Sequence, residues 1–278
     1  MRLGTHIWIG RGLASVFQIS EALGCECFQI FLQNPRSWSR KQRSDAEIDV
    51  FRQGVKRQNV FPVVVHMPYL LNLSSPDKNI LQKSRTLFEH EMIEAAQLGA
   101  DYYVIHPGSH KGEGIETGVR NLIQSIKPFI GEKPKILLEN TAGQGNTIGG
   151  KWEDFIPLFE RYGNDIGLCF DTAHAFQSGY DIRRATILLE MLDNIDRKLA
   201  PNNVLLIHSN DSPSGLGSHL DRHQNIGEGL LGIKTFDMLI RNKTLGKLPF
   251  ILETPKSDID ADKKNLAVLR QIWEKQKT

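Results

Sequence analysis

Eight short apolar runs recur along the 278 residues, and their repetition narrows the fold more than any other feature of the sequence. They are LGTHIWI (3–9), CFQIFL (27–32), PVVVHM (62–67), YYVIHP (102–107), KILLENT (135–141), IGLCFDTAH (166–174), NVLLIHSND (203–211) and PFILET (249–254). Each is rich in β-branched or aromatic residues and short, the pattern of parallel strands buried on both faces. Between them, apolar residues recur at intervals of three and four, the period of a helix with one buried face. The clearest such segment spans 78–100, with Gly99 as its stop. Others centre on 14–23, 45–57, 115–129, 152–162, 182–195, 233–240 and 263–274. Ser44 and Ser75 stand where caps or turn starts are expected, and Pro76 takes the favoured early position of the third helix.

Eight strand–helix units in this length are what a closed (β/α)8 TIM barrel requires. A doubly wound open sheet is the alternative, but it usually has fewer strands and places phosphate-binding glycines after the first. HIWIGRG carries Gly10 and Gly12 without the rest of that fingerprint. No linker or low-complexity segment interrupts the pattern, so residues 1–278 are expected to form a single TIM-barrel domain. The 40% hydrophobic and 24% charged fractions suit an ordinary soluble domain, and no apolar stretch reaches the roughly 20 residues that span a bilayer. The first residues carry no export signal, and Cys25, Cys27 and Cys169 lack paired ligand spacing. A reduced, cytoplasmic protein is therefore expected. The net charge of +2 does not decide the question of nucleic acid, since a basic face can coexist with an acidic cleft. No interface is readable, and a monomer is expected.

The chemistry lies at the ends of the runs. Runs three to eight end in His66, His106, Glu139, Asp171, His208 and Glu253, at spacings of 40, 33, 32, 37 and 45 residues. A barrel brings every strand end to the same rim, which turns this near-regular series into a ring. One strand-end histidine is more often an ordinary hydrogen-bonded residue than a ligand. Six such residues in succession, each emerging from a buried run, point to a metal centre, because buried carboxylates are costly unless paired or metal-bound. His174 follows Asp171 by three residues. The loop IHSNDSPSGLGSHLDRH (207–223) adds Asp221 and His223, close enough in an extended segment to reach one ion. Alone, that loop would also read as a solvated polar connection. His219 within it is a candidate for an outer or phosphate contact and His110 for a substrate contact. His90 reads as a helix-surface residue, and the direction of His6 is open.

Nine candidate ligands exceed the three or four that one zinc ion takes from protein, and suit two or three ions with a bridging carboxylate. Mixed imidazole and carboxylate donors admit Zn²⁺, Mn²⁺ or Fe²⁺, and five imidazoles favour zinc over magnesium. Such a cluster can generate hydroxide at neutral pH and stabilise the attacking and departing oxygens of an in-line phosphoryl displacement.

Four segments carry a resemblance: LLENTAGQGNTIGG (137–150), FDTAHAFQSGYD (170–181), HSNDSPSGLGSHLDRHQNIGEG (208–229) and PFILETP (249–255). With them the chain resembles the endonuclease IV family of apurinic/apyrimidinic (AP) DNA repair enzymes along nearly its whole length. The resemblance implies three zinc ions. One would be held by His66, His106 and the bridging Glu139, and a second by Glu139, Asp171, His208 and Glu253. The third would take His174, Asp221 and His223. It also implies hydrolysis of the phosphodiester 5′ to an abasic site in duplex DNA during base excision repair, leaving a 3′-hydroxyl and a 5′-deoxyribose phosphate. Glu253 would support the nucleophile. Arg36, Tyr69 and Leu70 match the positions that contact DNA and fill the gap left by a flipped lesion. The basic run RSWSRKQR (36–43) beside Trp38 suits phosphate contact as well as it suits a solvated approach to a helix.

HIWIGRG departs from the small-residue, glycine-rich first turn common in the family. With Trp8 and Arg11 there, the resemblance does not extend to the local DNA-contact geometry. Ser209 also replaces a commoner leucine, leaving Asn210 and Asp211 in place. A sugar isomerase or epimerase is the competing enzyme reading, since barrels of that kind also carry His, Glu and Asp at strand ends. The third ligand set favours phosphodiester chemistry. A non-catalytic DNA-binding barrel with structural metals would have to explain why the ligands line the rim where barrels do chemistry.

Overall fold

The computed structural model describes residues 1–256 and 259–275. Eight parallel strands close into a barrel in sequence order: β1 (Arg2–His6), β2 (Cys27–Ile30), β3 (Val63–His66), β4 (Tyr102–Ile105), β5 (Lys135–Glu139), β6 (Gly167–Asp171), β7 (Val204–His208) and β8 (Pro249–Leu252). β1 pairs with both β2 and β8, the contact that closes the ring. Around it lie α1 (Ser15–Leu23), α2 (Asp45–Gln58), α3 (Lys78–Leu98), α4 (Ile115–Ile126), α5 (Ile156–Tyr162), α6 (Thr172–Gln177), α7 (Ala185–Lys198), α8 (Ile233–Arg241) and α9 (Ile259–Glu274). This is the TIM barrel expected from the eight-fold pattern.

The period-two alternation of strand side chains sorts the core into two parts. Residues such as Phe28, Val63, Val65, Tyr103, Leu138, Phe170, Ile207 and Phe250 face the helices in one large cluster. Cys27, Val64, Val104, Leu137, Cys169, Leu206 and Ile251 form a second, fully buried cluster inside the barrel. Two positions beyond each of these stands Gln29, His66, His106, Glu139, Asp171, His208 or Glu253, and β1 continues the ring at His6. The candidate site is thus the layer stacked on an apolar plug. Its polar atoms face inward because a residue two along a strand points the same way.

Local chemistry sets the helix ends. Ser44 caps α2 in a full capping box with Glu47, as its position suggested. At α3 the cap is Asp77, whose carboxylate accepts from the backbone N–H groups of Asn79 and Ile80. Pro76 therefore precedes the helix and does not lie inside it. Ser75 is a turn residue whose Oγ accepts from Asp77 N. Gly99 ends α3 in the left-handed region at φ 75°, where a Cβ would be strained. The sixth run divides after Asp171: its last residues belong to α6, because the Asp171 carboxylate caps the N–H of His174 and starts a helical turn.

Candidate metal centre

β3, β5, β6 and β7 end on His66, Glu139, Asp171 and His208, while His106 and Glu253 stand one residue beyond β4 and β8. Glu139 is the hub. Its Oε2 lies 3.1 Å from His66 Nε2 and 3.2 Å from His106 Nε2; its Oε1 lies 3.0 Å from His208 Nδ1 and 3.4 Å from His174 Nδ1. Glu253 Oε2 sits 3.1 Å from His208 Nδ1. Among the described residues, potential histidine and carboxylate ligand atoms converge within 4.8 Å in three adjoining sets: His66–His106–Glu139, Glu139–Asp171–His208–Glu253 and Asp171–His174–His223. Glu139 joins the first two and Asp171 the last two, so the donors suit neighbouring ions with shared carboxylates.

The third set differs from the expected one. Asp171, one helical turn before His174, joins it. Asp221 stands at its edge, 42% exposed, with Oδ1 3.1 Å from His174 Nε2. Asp221 reaches the centre from a loop, whereas Asp171 is fixed at a strand end. Cys169 also lies beside Glu139 and His208, but burial pushes its thiol up to about 12. Its side chain packs in the apolar plug, one layer below the ring of histidines and carboxylates, and all three cysteines are free.

Outer hydrogen bonds choose which nitrogen each histidine offers. His66 Nδ1 donates to Met67 O at 2.7 Å, and His174 Nδ1 to Asn140 O at 2.9 Å, turning both Nε2 atoms inward. His208 is reversed: Nε2 donates to Gln29 Oε1 at 2.9 Å, and Nδ1 faces the carboxylates. Gln29 Nε2 in turn donates to Glu253 Oε1 at 2.6 Å and to His6 Nδ1 at 3.0 Å. Asn140 holds Asp171 through both backbone groups. Asn210 donates to Asp171 Oδ2 at 2.6 Å and accepts from Glu253 N at 2.8 Å. Sequence reasoning passed over Gln29 and Asn140. The signal for Gln29 was its strand parity, two residues after Cys27 in the same register as the histidines.

Charge pairing is strong. Burial, the largest influence, disfavours the imidazolium of His174 and His106, yet both are raised above the ordinary range, His174 far above it. Asp171, Asp221 and Glu139 outweigh burial at His174, and Glu139 does so at His106. His208 is likewise held well above its range against burial, with Glu253 and Glu139 beside it and Cys169 in contact. Burial pushes the carboxyls up, but Glu139 and Glu253 lie well below the usual range because of His208, with His106 adding to the effect at Glu139. Asp221 is also lowered despite burial, through His174. His6 is pushed down to about 4 by burial. The carboxylates thus favour positive charge at His106, His174 and His208, the charge that a divalent cation bound by these donors would supply.

The expected DNA-contact residues gather beside this centre. Tyr69 is 58% exposed, and its ring lies 5.9 Å from that of His106 and 5.2 Å from Phe31. Leu70 N donates to Pro35 O at 3.3 Å, tying its loop to the one that bears exposed Arg36. Tyr69, His106, His174, His223 and Glu253 share a cleft of about 470 Å³. Within the basic run, Arg43 is not a phosphate contact: its side chain is 5% exposed and paired with Glu94. His219 Nδ1 donates to Ala142 O at 2.9 Å, joining two loops, and His90 is exposed on α3. A larger cavity of about 790 Å³ lies between α4 and α5 and contains none of the clustered donors, so size is no guide to the chemistry.

A family model described as a xylose isomerase-like TIM barrel matches residues 17–272. The protein named "Probable endonuclease 4" of Halothermothrix orenii is 40% identical over 278 residues, covering 98% of this chain and 100% of that relative. The crystal structure of endonuclease IV from Thermus thermophilus superposes with a TM-score of 0.88 at 33% identity, over 99% of this chain and 100% of that one. A D-tagatose 3-epimerase-like protein shares the barrel at a TM-score of 0.74 and 20% identity, over 100% of both chains, a likeness of fold alone. Identity along nearly the whole chain and a matching closed barrel establish that this protein belongs to the endonuclease IV family, a nuclease and therefore a hydrolase built on a xylose isomerase-like TIM barrel.

Proposed function

We propose that this chain is a zinc-dependent AP endonuclease of base excision repair, acting as a monomer on duplex DNA inside the cell. It hydrolyses the phosphodiester 5′ to an abasic site, leaving a 3′-hydroxyl and a 5′-deoxyribose phosphate. The observation that carries this reading is the continuity of the donor sets. His66, His106, Glu139, Asp171, His208 and Glu253 adjoin His174, His223 and Asp221, in the cleft that also holds Tyr69.

Zinc bound by these donors would supply Lewis-acid stabilisation and a water acidic enough to attack at neutral pH. The protein's own share is positional. Glu139 offers one oxygen to each side of the centre, and Glu253, ionised and steered by Gln29 and His208, accepts a hydrogen bond from the attacking water. The P–O3′ bond breaks as water adds to phosphorus, and the departing oxygen becomes the 3′-hydroxyl. Tyr69 and Leu70 fill the space left in the base stack, while Arg36 meets the backbone.

The test is incision of an end-labelled duplex carrying one abasic analogue, with undamaged duplex as control and the product termini mapped. Chelator-treated protein should lose incision and zinc should restore it. Cutting that ignores the lesion, or no cutting by zinc-loaded protein, refutes the proposal. Elemental analysis finding a single ion per chain would favour sugar chemistry.

A further inference from the structure

We infer that Trp8 and the pocket it walls bind an unstacked nucleobase of the DNA substrate, an inference that rests on the activity proposed above. Trp8 follows β1 and is 70% exposed, an unusual place to leave an indole without a partner. A Cβ built on Gly10 would lie 1.9 Å from Trp8 Cζ2, so the ring lies over Gly10, and any side chain there would displace it. Beside it opens a pocket of about 620 Å³ whose walls include Phe31, Arg36 and Tyr69. Phe31 is held between rings, 4.3 Å from His6 and 5.2 Å from Tyr69, which makes a fixed aromatic wall.

Charge indicates what fits between these walls. Of the cationic side chains lining the pocket, Arg43 is paired with Glu94 and Lys41 with Glu47. Among the described residues, Arg36 is left without an ion pair. Aromatic faces with one available guanidinium match a base and its adjoining phosphate, the combination of stacking and positive charge found in proteins that bind single strands without sequence preference. Continuity favours the DNA substrate over an independent ligand. Tyr69 lines both this pocket and the metal-centre cleft, so a strand whose phosphate lies at the metal centre passes the mouth of the pocket. Trp8 then acts as a stacking platform that strengthens binding to DNA already opened at a lesion.

Steady-state incision of an abasic-site duplex tests this. Trp8→Ala is expected to raise KM roughly 5- to 150-fold, the stacking of one base, with kcat within about two-fold of wild type. Trp8→Phe should recover most of the loss. Gly10→Ala, which displaces the indole without removing it, should reproduce it. Substrates in which each base near the lesion is replaced in turn by a second abasic unit then locate the occupant. On one of them the wild type and Trp8→Ala should become equal. An unchanged KM for folded Trp8→Ala, or a penalty that persists on every substrate of the series, overturns the inference while leaving the enzymatic reading intact. Wild-type protein that fails to incise the parent duplex overturns the enzymatic reading and this inference with it.

Discussion

Replacing Gln29 with leucine separates the metal donors from the group that aims them. Gln29 is fully buried, accepts from His208 Nε2 at 2.9 Å and donates to Glu253 Oε1 at 2.6 Å. Leucine has a similar volume, so the plug beneath it stays filled, but both hydrogen bonds are lost. His208 is then free to turn, and Glu253 loses the partner that fixes one of its oxygens. Loss of an orienting partner of this kind lowers metal affinity roughly 10- to 100-fold, about 1.4–2.7 kcal/mol. The buried Nε2–H left without an acceptor adds about 1–3 kcal/mol of destabilisation to the metal-free fold. Competition for zinc against a chromophoric chelator at neutral pH measures the first effect, and thermal melts in chelator measure the second. Zinc affinity within about two-fold of wild type, in a variant that melts cooperatively, would refute the assignment of Gln29 as the group that positions His208 and Glu253.

Glu253→Gln keeps the shape of the side chain and removes its charge; incision should fall by roughly 10²–10⁴ while the fold survives, and wild-type incision by this variant would remove Glu253 from the mechanism. The two arginines of the basic run should behave oppositely. Arg36→Ala is expected to raise KM and to lower the salt dependence of DNA binding by about one charge, with stability unchanged. Arg43→Ala should destabilise by about 1–3 kcal/mol, because it removes the charge partner of Glu94 and leaves it the hydrogen bond from Gln33; melting curves that rank the two variants the other way would contradict the assignment. Glu91 provides a pH signature remote from the metal donors. It is buried against Tyr103 and, mainly through burial, pushed up to about 8 from 4.5. The folded state therefore holds this proton where the unfolded state has released it, and stability falls as pH rises from about 4.5 to 8, by about 1.4 kcal/mol for each unit of difference. Glu91→Gln should remove that slope and melt higher than wild type at pH 8.5 but not at pH 5. Parallel stability profiles for the two proteins would show that Glu91 ionises freely.

Much of the ring was legible because strand parity is local. A residue two positions beyond a barrel-interior apolar residue must share its face, so VVVH, ILLE and VLLIH announce donors that emerge from buried strands. The same rule applied to CFQ and GTH would have brought Gln29 and His6 into the ring. Glutamine is not a strong metal ligand, and the direction of His6 is not readable from the first run alone. The misplacement of Pro76 has an equally local cause, since the Asp77 side chain satisfies the first free N–H groups of α3 and leaves the proline outside. His174 was assigned to a strand segment but belongs to α6, where the three-residue step from Asp171 becomes one helical turn.

By itself the sequence determined the eight strand–helix units, the burial of the strands on both faces and the order of polar groups around the rim, all consequences of short-range periodicity. Only the tertiary structure decided how the loops complete the centre. Asp221 and His223 lie on an extended loop held from outside it: Gln177 on α6 donates to Arg222 O at 2.6 Å, and His219 donates from its backbone N–H to Gln177 O at 3.0 Å. Those contacts join residues more than 40 positions apart, so neither periodicity nor spacing can express them. The histidine orientations set by Gln29 and Asn140 are of the same kind, and so is the burial of Arg43 within a run that looks uniformly basic. Each depends on which distant group supplies the partner, and that is settled only when the barrel closes.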